Sequence, residues 1–154
     1  MAGWMSTVPG IINALVRILA AAPELEGVVV RDGPAIESTA ALEVLSVGWT
    51  GVEGETDIEA QLVGEGMGGN PDREVSSIRC VAAVLAGNTD VAATRARAYE
   101  LMTGAAVAIA RDRTLQRTVM RAMIGSHSLS QDQTDRGLQA VVIFSVDCDA
   151  YTLR

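Results

Sequence analysis

The chain has 154 residues, close to half of them apolar but only 3% aromatic, with a formal charge of −7 in which every basic residue is an arginine. That length is one domain, 1–154, long enough to bury a core without disulfide staples. Its core must come from Ala, Val, Ile and Leu, and its negative charge argues against a general nucleic-acid binder, which needs a basic footprint.

In chain order, Ser6 and Thr7 are N-cap candidates and Pro9 sits where a first-turn proline is tolerated. Ile11, Leu15, Ile18, Leu19 and Ala22 recur at helical spacing, which predicts a first helix ending before Pro23. The same stretch ends in Ala20-Ala21-Ala22, a faint likeness to a signal-peptide cleavage region. No basic run precedes it, Arg17 interrupts it, and it is too short to span a bilayer, so a soluble protein made in the cytosol is expected. Residues 27–32 read as a short strand stopped by Gly33-Pro34, and residues 42–50 as a second strand in which Gly48 allows a bulge.

Residues 51–72 are acidic and glycine-rich, a loop expected to be mobile or interface-forming. Within it Ile58, Ala60 and Leu62 alternate as a weak edge strand would. From Glu74 to Leu85 the alternation is strong. Ile78, Cys80, Ala82 and Val84 share one face of what should be a central strand. Asn88 or Thr89 should cap a long helix from Asp90 to about Arg111, with a stripe of Val91, Ala98, Leu101, Met102, Ala105, Ala108 and Ile109. Residues 118–128 form a further expected strand. The polar run from Ser128 to Asp135 reads as a connection, and residues 137–152 as the closing strand. This order is not the alternation of a doubly wound fold. It predicts an α+β domain with an antiparallel-rich mixed sheet of about four to five strands and two helices packed on one face.

The chemistry-bearing residues are sparse. His127 is the single histidine, so no histidine metal cluster forms, and neither cysteine has a zinc-like partner. Ser126 or Ser128 could be paired with His127, but nothing like a nucleophile elbow surrounds them. Residues 64–70 resemble a phosphate loop only in glycine content, and Glu65 there would repel phosphate. Asp147 and Asp149 point to the same side of a strand, which permits a cation site, yet that period is also the polar side of any half-buried strand. No catalytic group, cofactor site or metal site is assigned. Cys80 and Cys148 fall on apolar strand faces and read as buried free thiols, a disulfide being the lesser alternative.

Charge is distributed unevenly. Acids crowd the stretch from Glu24 to Glu74, while Arg95, Arg97, Arg111, Arg113, Arg117, Arg121 and Arg136 dominate the stretch that follows. Complementary halves suit head-to-tail pairing of identical copies. The expected subunit or partner interface therefore comprises Glu53, Glu55, Asp57, Glu59 and Glu65 on the acidic loop. Arg95, Arg97 and Arg113 oppose them, and the polar face of Asp147 and Asp149 joins the set.

Four stretches together resemble one family. Val29-Val30-Arg31-Asp32-Gly33-Pro34 with Leu45-Ser46-Val47-Gly48 looks like its early strand pair around an Asp-Gly-Pro turn. Arg73-Glu74-Val75-Ser76-Ser77-Ile78-Arg79-Cys80 looks like its central strand. Gly87 to Tyr99, with Ala96-Arg97-Ala98, looks like the start of its long helix. Asp112-Arg113-Thr114-Leu115, then Leu129-Ser130-Gln131-Asp132-Gln133 and the terminal strand, match its C-terminal half. The sequence thereby resembles the tail terminator (tail completion) proteins of long-tailed bacteriophages, of the lambda protein U type, as seen in phages of actinobacteria. It departs at Arg113 and Arg117, where the family often has Pro and Gly.

The resemblance implies a non-enzymatic virion protein of the tail and neck, assembled in the host cytoplasm. Such proteins form a homohexameric ring on the last ring of the major tail tube protein. The ring stops tube polymerisation and presents a surface to a head–tail connector or stopper. DNA would pass through the lumen without sequence-specific binding, and no membrane is involved. Another neck protein is the nearest alternative, and a small-molecule-binding or enzymatic α+β domain a remote one.

Overall fold

The computed structural model describes residues 5–34, 42–64, 72–86 and 90–152. Helical spacing of apolar residues produces α1 (Val8–Ala20), which buries Ile11, Ala14, Leu15 and Leu19. Thr7 occupies the N-cap position, but its side chain caps nothing. The Ser6 hydroxyl instead accepts the Val8 N–H at 3.1 Å. The carboxylate of Glu74 accepts the Thr7 N–H at 2.8 Å and also the Thr7 hydroxyl. A buried acid thus sits where the helix dipole is positive and the backbone donors are orphaned. A short 3-10 turn at Pro23–Leu25 follows, and its Leu25 is buried.

The sheet is organised around β4 (Arg73–Ala86), whose alternation the sequence announces. β6 (Gly137–Tyr151) pairs antiparallel along the whole of one side, from Arg73 opposite Tyr151 to Ala86 opposite Leu138. The other side is shared end to end. β2 (Glu43–Val47) pairs with residues 80–84, and β3 (Ile58–Val63) with residues 73–78. β1 (Val29–Asp32) lies parallel to β2 at one edge, and β5 (Arg121–Thr134) lies antiparallel to β6 at the other. The six strands run in the order β1-β2-β4-β6-β5, with β3 on β4. The α+β class and the antiparallel bias are as expected, and the weak alternation at Ile58, Ala60 and Leu62 does form a strand, which raises the strand number to six.

Both helices cover the same face. α2 (Val91–Arg111) contributes Ala98, Leu101, Ala105, Ala108 and Ile109, which meet Leu45, Val47, Ile78, Cys80, Ala82, Val142, Phe144 and Val146 in one cluster with α1. Fully burying side chains such as Leu15, Leu101 and Phe144 contributes roughly 1.5–3 kcal/mol each. Gly104 lets α2 approach the 3-10 turn, because a Cβ there would stand 2.9 Å from Leu25 Cδ2.

Three local expectations are corrected. Asp90 itself is the N-cap of α2, its side chain accepting the Ala93 N–H. Val91 is therefore exposed, and Thr94, with its hydroxyl on the Asp90 carbonyl at 2.9 Å, takes the buried place in the stripe. The polar run after Ser128 is strand rather than connection: β5 continues to Thr134, where it pairs with Gly137. An edge strand held by backbone bonds to one neighbour needs no apolar alternation, and most β5 side chains are exposed.

Candidate functional site

The gap between β2 and β3 produces the first distinctive feature. Both Gly48 and Trp49 donate their N–H to the Arg79 carbonyl, at 2.8 and 3.0 Å, and the Arg79 N–H returns to the Asp57 carbonyl at 3.0 Å. Residues 48–57 leave the sheet between these bonds as a loop with a closed neck. Inside it the Asp57 carboxylate accepts the Thr50 N–H at 3.0 Å, and the Arg79 guanidinium donates to the Thr56 carbonyl at 2.6 Å. Gly48, Gly51 and Gly54 turn the chain with φ of 75°, 74° and 85°. Glu55 and Thr56 overhang the sheet face away from the helices. With Arg79, Ser126, Ile143 and Ser145 they border a depression of about 320 Å³.

The predicted acids divide accordingly. Glu53 and Glu55 are exposed at the tip, and among the described residues no hydrogen bond or ion pair involves either carboxylate. Asp57 closes the loop, and Glu59 on β3 lies 3.7 Å from Arg79. Glu65, like most of the glycine-rich run 64–70, lies outside the described residues.

The predicted arginines divide as well. Arg97 is engaged within the chain: its Nε and Nη2 grip Glu43 at 2.5 and 3.0 Å, while Nη1 reaches Glu100 at 2.9 Å. The Arg97 hydrogen bond holds the Glu43 carboxyl below its ordinary value, and Glu43 in turn raises Arg97. This pair borders an open groove of about 610 Å³ with Val29, Leu42, Leu85 and Thr94. Arg95 donates to Gln131 at 3.2 Å across to β5. Arg113 donates to the Ala122 carbonyl at 3.3 Å, beyond the C-terminal end of α2 and away from the other two.

Asp147 and Asp149 do share the outer face, and Asp149 is engaged within the chain. Asp149 receives two bonds from Arg73, at 2.7 and 2.6 Å, and these hold its carboxyl below the usual range. Asp147 lies over Gly125 so closely that a Cβ there would overlap its carboxylate. Gly125 belongs to the irregularity between Ile124 and His127, where the Ser126 N–H donates to the Ser145 hydroxyl at 3.0 Å. Among the described residues no group of three metal-ligating side chains occurs. His127 packs edge-on against Tyr99 of α2, with Tyr99 Oη 3.2 Å from its Nδ1. Strand alternation turns Ser126 and Ser128 to the other face. Cys80 and Cys148 are buried free thiols. Cys80 faces Phe144 and Cys148 faces Ser76, so register separates them. Burial pushes both thiols up to about 12.

A second feature had no signal in periodicity. After α2 the chain passes through three successive non-glycine residues with positive φ: Leu115 at 48°, Gln116 at 59° and Arg117 at 64°. Left-handed backbone costs L-residues roughly 1–2 kcal/mol each. Two contacts offset that cost. Leu115 is wholly buried, and the Asp112 carboxylate accepts the Thr114 N–H, the Thr114 hydroxyl and the Gln116 N–H at 3.1, 2.7 and 2.8 Å. Those bonds lower the Asp112 carboxyl below its usual range, the Thr114 hydroxyl most. From α1, Arg17 donates through Nε and Nη2 to Gln116 at 3.1 and 3.0 Å. Arg111 pairs with Glu24. Arg17, Arg111, Arg113 and Arg117 thus collect, all exposed, at one end of the helix layer. The departure at Arg117 from a family glycine was the sequence's single hint of this backbone.

No family model matches the sequence, and no curated protein matches it. Among solved structures, a chain from the virion of a native gene transfer agent particle aligns over 97% of this chain and 95% of its own, at 9% identity and a TM-score of 0.44. That score is too low to carry a functional argument. Among the described residues no helix is long and apolar enough to cross a membrane.

Proposed function

We propose that this chain is a structural virion protein of the tail-terminator kind. It forms a hexameric ring that caps the tail tube, stops its growth and offers a surface to the neck. The observation that carries the reading is where the resembling residues sit. Asp32-Gly33-Pro34 ends β1, with Gly33 at φ 76° and its N–H on the Val47 carbonyl. In the central-strand motif Arg73 clamps Asp149 of β6, Glu74 holds the start of α1, and Ile78 and Cys80 enter the core. Each residue joins one part of the fold to another, and none converges with the others on a pocket. A pattern of this kind specifies a shape, and shape is what a ring subunit supplies. The partners on this reading are five further copies, the major tail tube protein below and a connector or stopper above, with DNA in the lumen.

The test is a phage in which this gene is silenced. Overlong, headless tails by electron microscopy are the expected result, and added purified protein should restore joining. Tails of normal length that fail to join heads would assign the chain to a connector or stopper instead.

A further inference from the structure

We infer that the arginine end formed by Arg17, Arg111, Arg113 and Arg117 receives the acidic tip of a second copy of this chain, with Glu53 and Glu55 as the incoming carboxylates. This inference rests on the ring reading and deepens it by naming the contact. Three observations meet here. The first is that the arginine end is built rather than incidental. A left-handed run of three non-glycine residues, tied by Asp112 and anchored by Leu115, presents an exposed Arg117, and Arg113, exposed just before it, is tied to the Ala122 carbonyl. Gln116 fixes Arg17 beside them through two bonds.

Second, little negative charge answers these cations locally. Glu24 meets Arg111, and Asp112 turns its oxygens to Thr114 and Gln116. Arg17 and Arg113 find only neutral oxygens, and among the described residues no hydrogen bond or ion pair engages the Arg117 side chain.

Third, the complementary charge exists elsewhere on the same chain. Glu53 and Glu55 stand on a loop whose neck is fastened to Arg79, so the tip is exposed and also positioned. The tip overhangs the outer sheet face, whereas the arginines lie at the end of the helix layer beneath the other face. The sheet separates the two groups within one copy, and among the described residues no ion pair joins them. Two different complementary patches on one chain make a heterologous contact, the kind that closes into rings. A phosphate backbone is the competing anion, but a chain of net charge −7 repels a polyanion as a whole.

Two variants test this in the full-length protein: Arg113→Glu with Arg117→Glu, and Glu53→Arg with Glu55→Arg. Each places like charges across the contact and should weaken self-association on the order of a hundredfold, read by sedimentation velocity. Mixed one to one, the two variants have only opposite charges facing each other, and the mixture should regain assemblies in which the variants alternate. Thermal melting checks that each is folded, and the tip variant carries the test should the arginine variant fail to fold. Wild-type protein that associates while both variants associate equally well overturns this surface and leaves the ring reading standing. Wild-type protein that stays monomeric at every concentration overturns both. Duplex DNA retained by wild type but not by the Arg113→Glu, Arg117→Glu variant, with association unchanged, would assign the arginines to phosphate and overturn the inference.

Discussion

The loop at residues 48–57 and the turn at residues 112–118 solve the same backbone problem by opposite means. Both must pass through left-handed conformations to bring the chain back. The loop places Gly48, Gly51 and Gly54 there, and the turn places Leu115, Gln116 and Arg117. Glycine reaches that region without steric penalty, so the loop is free to carry whatever side chains it likes at its tip. The turn uses ordinary residues, so its shape survives only because packing and hydrogen bonds enforce it. What the strained version gains is side chains where glycine would leave none: a buried Leu115, a Gln116 that holds Arg17, and an exposed Arg117.

The comparison breaks most completely at Leu115. Leu115→Ala removes the buried anchor and should destabilise the protein by about 2–5 kcal/mol in urea unfolding. An effect confined to a few tenths of a kcal/mol would show that the turn stands without its anchor. Asp112 is next. Asp112→Asn leaves one oxygen where the carboxylate offers two, and should lower the melting temperature by less than the Leu115 change. The wild type should show a matching pH dependence. Asp112 has a folded pKa below its unfolded one, so its contribution is present above the ordinary carboxylate value and is lost as pH falls through the lowered one. Wild type and Asp112→Asn should therefore converge in stability in acid and diverge toward neutral pH. Parallel curves would remove Asp112 from its place at the centre of the turn.

The same contrast explains what could be read in advance. The helix stripes, the central strand and the α+β class follow from periodicity, since one-sided burial writes itself into sequence. Periodicity ends the strand of β5 at Ser128, although it pairs to Thr134, because an exposed edge strand carries no such mark. At α2 the cap is Asp90, while the expected Asn88 and Thr89 lie outside the described residues; all three side chains are good caps, so sequence alone does not choose among them. At α1 Thr7 holds the N-cap position as expected and Ser6 accepts the Val8 N–H, but the Thr7 N–H is met by Glu74, sixty-seven positions away in the chain. The charged surface was legible as composition but not as geometry. Glu53 and Glu55 are exposed, yet nothing in the spacing shows that Arg97 is held by Glu43, 54 positions earlier, and so engaged within the fold. Arg117 looked like a departure from a glycine, and the structure shows the backbone that makes glycine natural at that position.

The smallest effects are the most discriminating, because opposite substitutions should have opposite signs. Gly54→Ala meets no atom within 4 Å of the new Cβ, so its whole cost is backbone: about 1–2 kcal/mol of destabilisation at φ 85°. Arg117→Gly relaxes the same kind of backbone and removes no side-chain bond among the described residues. It should stabilise the folded chain by roughly 0.5 kcal/mol, the relief of left-handed strain being partly cancelled by the freer unfolded chain. The same substitution removes one cation from the arginine end, so self-association should weaken while the monomer becomes more stable. Urea unfolding and sedimentation velocity on one preparation read the two quantities separately. A more stable monomer that associates as tightly as wild type would mean that the strain at Arg117 serves the fold alone. A change that raises stability and lowers association together would mean that the turn holds strained backbone in order to present charge.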